Sequence, residues 1–192
     1  MTVVAVVDYG AGNLGNARRA VTRLGFVERL ARTSGDLEGA DVILLPGVGA
    51  WGAAMTTLRA RGLAAALCAA AAAGRPIVGI CLGLQLLFER SEEAPDVSGL
   101  GILAGGVRRL RAGGRPLPHL GWAPVAGVPF YFAHSFCAEP ADPAVVTGVA
   151  EWGEPFPAIV ARGRVRGVQF HPERSGAPGL AWFGRFLAEA AA

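Results

Sequence analysis

Pro76-Ile77-Val78-Gly79-Ile80-Cys81-Leu82-Gly83-Leu84-Gln85-Leu86-Leu87-Phe88 is the stretch that decides the fold of this 192-residue chain. The apolar run 77–80 reads as a short buried strand. The segment 82–90 reads as a helix with Leu84, Leu87 and Phe88 on one face. Between the two stands a single cysteine, with a glycine two residues away on each side. Gly-x-Cys-x-Gly is the layout of a nucleophile elbow, in which a sharp strand-to-helix turn lifts the reactive atom clear of a sheet. The glycines suit such a turn because neighbouring side chains would collide with its strained backbone. Cys81 then lies at a helix start, where the partial positive charge favours a thiolate.

Working outward, the first ninety residues alternate strand and helix. Residues 2–8 are β-branched almost throughout, the pattern of a parallel strand covered on both faces. A loop, Tyr9-Gly10-Ala11-Gly12-Asn13, follows at its carboxyl end. Leu14, Ala17, Val21 and Leu24 then recur at helical spacing, with Gly25 just past the end. Segments 26–31 and 41–45 read as strands. Pro46-Gly47-Val48-Gly49 breaks the chain, and one long alanine-rich helix is expected over 53–73. The alternation predicts a parallel α/β sheet. In the second half helical periodicity fades, and apolar segments at 102–110, 130–136, 145–149, 158–161 and 165–170 are punctuated by Gly and Pro. These read as mostly antiparallel strands that extend the sheet. A terminal helix over 178–190 carries Leu180, Phe183 and Leu187. With no repeat and no linker, residues 1–192 are expected to form a single domain.

Composition excludes several classes. Hydrophobic residues make up 52% and charged residues 17% of the chain, which argues against disorder. The net charge of +3 is spread thinly. Arg108, Arg109, Arg111 and Arg115 form the densest cluster, without the interleaved aromatics of a nucleic-acid surface. An odd set of cysteines, Cys68, Cys81 and Cys137, argues against a disulfide framework and for a reducing compartment, so a cytoplasmic protein is expected. His171 and Glu173 lack further ligands at metal spacing, so neither metal nor cofactor is expected. The alanine-rich run 63–73 is too short to span a bilayer, and the N-terminus has no signal-peptide pattern. Gly10-x-Gly12-x-x-Gly15 matches a dinucleotide fingerprint in form, but neither Glu28 nor Asp36 is well placed as its acidic partner.

A thiolate nucleophile needs a base that also protonates the leaving group. Of the three histidines, His119, His134 and His171, the last stands at a strand end in Gln169-Phe170-His171-Pro172-Glu173. Pro172 biases His171 toward an extended backbone. Residues two apart in such a segment face the same side, so Glu173 can reach the imidazole. Cys81, His171 and Glu173 thus make a triad by role. For the oxyanion, the Leu82 amide is the natural first donor and the Gly47-Val48-Gly49 backbone a second.

Through Gly79-Ile80-Cys81-Leu82-Gly83-Leu84-Gln85 and Gln169-Phe170-His171-Pro172-Glu173 the chain resembles the class I glutamine amidotransferases. The resemblance implies a flavodoxin-like α/β fold and hydrolysis of glutamine to glutamate and ammonia through a cysteinyl thioester. It implies Cys81 as nucleophile, His171 as base, Glu173 as its orienter, and Gly49 and Gln85 as holders of the glutamine. Finer stretches resemble one branch of the family. They are Asp8-Tyr9-Gly10-Ala11-Gly12-Asn13-Leu14, Pro46-Gly47-Val48-Gly49-Ala50-Trp51, Glu89-Arg90-Ser91-Glu92-Glu93, Pro118-His119-Leu120-Gly121-Trp122 and Tyr131-Phe132-Ala133-His134-Ser135-Phe136. That branch passes ammonia to a cyclase subunit, a (β/α)8 barrel, in histidine biosynthesis, and the expected assembly is a heterodimer. A glutaminase serving pyridoxal 5′-phosphate synthesis is the alternative enzyme, and a non-catalytic module of the same fold is a third reading. Tyr9, Asn13 and Trp122 match the partner-facing side. The Gly47-Val48 peptide matches an oxyanion strand that turns inward only when the partner holds its ligand. Three departures concern partner contacts: Ala123 in place of the usual Asn, Phe136 in place of a common Tyr, and an arginine-rich 107–118.

Overall fold

The first strand, β1 (Val3–Val7), shows why the sheet lies in the middle of the molecule. Val4 and Val6 join one apolar cluster, Ala5 and Val7 the other, and all four are buried. Successive side chains of a strand point to opposite faces, so both faces of this strand are covered. A computed structural model of the chain describes residues 1–10 and 13–192. Along the chain it places α1 (Leu14–Arg23), β2 (Val27–Ala31), β3 (Val42–Leu45), α2 (Trp51–Ala60), α3 (Leu63–Ala72), β4 (Ile77–Ile80) and α4 (Leu82–Leu86). There follow β5 (Arg90–Ser91), β6 (Gly105–Arg109), β7 (His119–Val125), β8 (Val128–His134), β9 (Phe136–Pro140), β10 (Val146–Glu151), β11 (Pro155–Arg162), β12 (Val165–Val168) and α5 (Gly176–Ala191).

Seven strands form the central sheet in the order β10-β11-β12-β4-β3-β1-β2. The pairs β1–β2, β1–β3, β3–β4 and β4–β12 are parallel, while β11 and β10 run antiparallel at the edge. This is the expected mostly parallel α/β sheet with antiparallel additions. α2 and α3 cover one face through Met55, Leu58, Leu63 and Leu67. α1 and α5 cover the other through Ala17, Val21, Phe183 and Leu187.

Three expectations need correction. The long helix over 53–73 is two helices, α2 and α3, because Gly62 takes φ 69° at the N-cap of α3 and turns the chain. That left-handed conformation ends a helix and comes readily to glycine. The helix after Cys81 stops at Leu86. From that point the carbonyls of Leu86, Leu87, Phe88 and Glu89 accept from the amides of Leu100, Leu103, Gly101 and Gly99, so the chain bonds to a loop in place of continuing the helix. Finally, the second half does more than extend the sheet. β5, β6 and β9 form a separate three-stranded sheet, and β7 and β8 a two-stranded one. β7 was not anticipated, since Gly121 and Pro124 interrupt its pattern. It is made by its hairpin, where Ala126 and Gly127 both take positive φ (48° and 80°), as the favoured two-residue hairpin turn demands.

Candidate active site

Cys81 follows β4 directly and takes φ 53°, ψ −109°, a conformation an L-residue adopts only when its surroundings hold it there. The Cys81 amide donates to Val168 O at 2.7 Å, and its carbonyl accepts from the Gln85 amide at 3.1 Å, so both peptide groups are tied. The two flanking glycines are steric necessities. A Cβ on Gly79 would stand 2.6 Å from Leu84 N, and one on Gly83 would run into the Leu45 carbonyl. The Leu82 amide opens α4 and is the first of its N–H groups with no partner inside the helix.

His171 reaches the site from the end of β12, with its amide donating to Tyr131 O at 2.8 Å. Its Nδ1 lies 2.8 Å from Glu173 Oε1, and both side chains are buried. A carboxylate accepts, so the proton sits on Nδ1 and the tautomer is set. Nε2 is buried without a hydrogen-bond partner of its own. Burial pushes the His171 pKa down, but the nearby Cys81 sulfur and the Glu173 carboxylate outweigh it and raise it to about 10. The three residues expected as a triad are therefore gathered at the carboxyl ends of adjacent parallel strands, where open α/β sheets place their ligands.

Beside Cys81 opens a cleft of about 210 Å3, lined among others by Val48, Gly49, Leu82, Gln85, Glu93 and Phe136. Larger hollows exist, but the one of about 510 Å3 bordered by Arg75, Arg162 and Arg164 lies at the amino ends of β4 and β12, away from this chemistry. Gln85 is buried, and its Nε2 donates to Phe136 O at 2.8 Å and to Gln169 Oε1 at 3.1 Å. Gln169 turns its own Nε2 toward Cys81 Sγ at 3.6 Å. Gln169 and Glu93 were missed as site residues. The signal for Gln169 was its place two residues before His171 in an extended segment, which puts both on one face. Glu93 borders the cleft and accepts from the Trp51 amide at 3.1 Å, which no local pattern announces.

Gly47 packs so tightly that a Cβ there would come 2.5 Å from Tyr9 Oη and 2.7 Å from Gly83 N. Gly49 has φ 114°. Val48 and Gly49 also border a second hollow of about 230 Å3 with Tyr9, Ala53 and Thr57, so this segment has space on two sides. Of the partner-facing candidates, Trp122 is 56% exposed and Leu120, on the same strand, 60%. Asn13 is half-buried at the start of α1, while its neighbours Ala11 and Gly12 lie outside the described residues. The expectation fails for Tyr9. It is 3% exposed and its hydroxyl donates to Pro46 O at 2.7 Å, so the ring braces the Pro46–Gly49 turn from inside. Among the described residues no group of three His, Cys, Asp or Glu could hold a metal ion, and no helix is long and apolar enough to cross a membrane.

An elbow cysteine at the mouth of a small cleft, with a buried His–Glu pair at the end of the adjacent strand, defines a class, and comparison with known proteins agrees. The family model for glutamine amidotransferase class-I matches residues 5–190. The chain belongs to that family. Within it, the relatives carry a narrower name. The chain is 44% identical over 193 residues to imidazole glycerol phosphate synthase subunit HisH of Moorella thermoacetica, covering 94% of this chain and 91% of that protein. It is 43% identical over 201 residues to the chloroplastic imidazole glycerol phosphate synthase hisHF of Arabidopsis thaliana, covering 97% of this chain but 34% of that longer protein. A crystal structure of a glutamine amidotransferase superposes with a TM-score of 0.79 at 25% identity, covering 97% of this chain and 98% of the other.

Proposed function

We propose that this chain is the glutaminase subunit of an imidazole glycerol phosphate synthase, built as one domain over residues 1–192. The observation that carries the reading is Cys81 on its strained turn beside a His171–Glu173 pair bonded at 2.8 Å, in a chain 44% identical to a subunit of that name over 94% of its length. Strands from both ends of the chain share the central sheet, which supports one domain.

In this reading L-glutamine lies in the cleft with its carboxamide at Cys81. Glu93 takes the α-ammonium group, and Gly49 and Gln85 hold the substrate. The Cys81 sulfur attacks the carboxamide carbon, and the oxyanion meets the Leu82 amide and the Gly47-Val48 peptide. His171, whose raised pKa keeps a proton on the ring at neutral pH, gives that proton to the departing ammonia. Water, deprotonated by His171, then cleaves the thioester and releases glutamate. Glu173 keeps the imidazole oriented throughout and stabilises its charged form. Ammonia passes to a cyclase subunit, the expected (β/α)8 barrel. The match to about a third of a longer plant synthase supports a second component of that kind. Trp122 and Leu120 supply an apolar surface for it, and the heterodimer works in the cytoplasm, where its three free cysteines stay reduced. The pyridoxal phosphate alternative is not favoured, because the relatives carry the imidazole glycerol phosphate synthase name.

The test is Cys81→Ala in the complex with the cyclase loaded with its ligand. Glutamate formation is expected to vanish while association persists. Undiminished glutamate formation would remove Cys81 from the mechanism.

A further inference from the structure

Two buried histidines stand at the cleft and are not used by the proposed mechanism: His134 lines it, and His119 lies behind His134. His119 on β7 and His134 on β8 stand opposite each other in the hairpin register, so their side chains meet on one face. His119 is fully buried, its ring stacked between Phe132 at 4.9 Å and Trp152 at 4.1 Å. His119 Nδ1 lies 3.3 Å from His134 Nε2, and His134 Nδ1 lies 2.9 Å from Phe136 O.

The polarity of this arrangement follows from one atom. A carbonyl oxygen only accepts, so His134 carries its proton on Nδ1. Its Nε2 is then the acceptor, and His119 donates from Nδ1. The same Phe136 carbonyl accepts from Gln85 Nε2 at 2.8 Å, and Gln85 Nε2 also faces Gln169 Oε1 at 3.1 Å. With its nitrogen committed to these two acceptors, the Gln85 amide turns its oxygen the other way, toward the cleft it lines. Burial holds both imidazoles neutral at pH 7, with His119 pushed down to about 4, helped by Arg115, and His134 to about 3. The chain of bonds therefore has one direction only.

We infer that His119 and His134 are positioning residues for substrate recognition. They fix the Phe136 carbonyl, and through it the Gln85 amide, in the orientation that presents an acceptor to bound glutamine. This rests on the glutaminase reading above.

Two amide substitutions at one site separate positioning from packing. In His134→Asn the amide nitrogen falls near the position of Nδ1 and keeps the donor to Phe136. In His134→Gln that donor is lost although the side chain stays polar and similar in size. Labelling of Cys81 by the glutamine analogue 6-diazo-5-oxonorleucine is followed in the complex with the cyclase subunit. For His134→Gln the half-saturating concentration is expected to rise about tenfold, the scale of one lost hydrogen bond to the bound analogue, with the maximal labelling rate nearly kept. His134→Asn, which keeps the donor to Phe136 but has no Nε2 acceptor for His119, is expected to raise the half-saturating concentration less than His134→Gln, by about what His119→Phe shows. His119→Phe, which keeps the ring between Phe132 and Trp152, is expected to shift the same constant in the same direction, and it carries the test if His134→Gln does not fold. A wild-type protein unlabelled at Cys81 overturns the glutaminase reading and this inference with it. A labelled wild type whose folded variants keep its half-saturating concentration, or lose only maximal rate, overturns this inference alone.

Discussion

At the scale of single residues, the site turns on the imidazole of His171. Removal from water disfavours its charged form, yet the neighbouring Cys81 and Glu173 raise its pKa to about 10. A folded-state pKa above the unfolded value of about 6.5 means the ring's contribution to stability is complete below about pH 6.5 and fades as the pH climbs to about 10. Glu173→Gln removes one of the two supports. The His171 pKa is expected to fall, read by the pH dependence of its imidazole NMR signals, and kcat/KM for glutamine to drop by about a hundredfold. The stability difference between wild type and this variant is expected to narrow as the pH rises from about 6.5 toward 10, measured by thermal denaturation. The three residues of the proposed triad were legible in the sequence because each sits in a short motif whose geometry is set locally. A cysteine between two glycines and a carboxylate two residues past a histidine need no distant partner to be recognised. Gln169 and Glu93 escaped because their roles come from partners far along the chain, Cys81 and Gln85 for the first and Trp51 for the second.

At the scale of elements, the turn Pro46–Gly49 and the ring beneath it act as one unit. Tyr9 comes from the end of β1 and its hydroxyl bonds the Pro46 carbonyl, thirty-seven residues on. Tyr9→Phe leaves that buried carbonyl without its partner, and the expected loss is about 1–3 kcal/mol, read as a lowered urea midpoint at unchanged m-value. An unchanged midpoint would show that the turn holds itself. The helices teach the same lesson in reverse. Propensity alone extends one alanine-rich helix through 53–73, because Ala is the best helix former. Gly62 costs such a helix about 1 kcal/mol relative to Ala, and packing of both halves against the sheet makes the break worthwhile. Likewise α4 ends early, and loop residues 99–103 donate to the carbonyls of residues 86–89, from its last residue onward.

At the scale of the whole molecule, the exposed pair Leu120 and Trp122 on β7 is the feature a free monomer explains least. Trp122 meets Tyr131 edge-on, ring centroids 6.0 Å apart, and leaves more than half of its surface open to water. Trp122→Ala is expected to leave thermal stability nearly unchanged. It is expected to weaken association with the proposed cyclase partner by about 2 kcal/mol, roughly thirtyfold in Kd, measured by titration calorimetry. Equal loss of stability would instead make Trp122 a packing residue. Tyr9, assigned to the same surface from its motif, turned out to face inward, since a motif marks a position in the chain and not the direction of its side chain.

The sequence by itself determined the parallel α/β sheet, the elbow at Cys81 and the His171–Glu173 pair. These rest on periodicity, steric limits on the backbone and spacings of two residues, all of which act within a few positions of the chain. Only the tertiary structure decided where helices end, that β7 pairs with β8 apart from the main sheet, and that Tyr9 is a brace. It alone assembled the run of bonds from His119 through His134 and Phe136 to Gln85, and from Gln85 to Gln169 beside Cys81. The hydrogen-bond partners in those features lie from two to eighty-eight residues away, and the distant ones become neighbours only once the chain has folded.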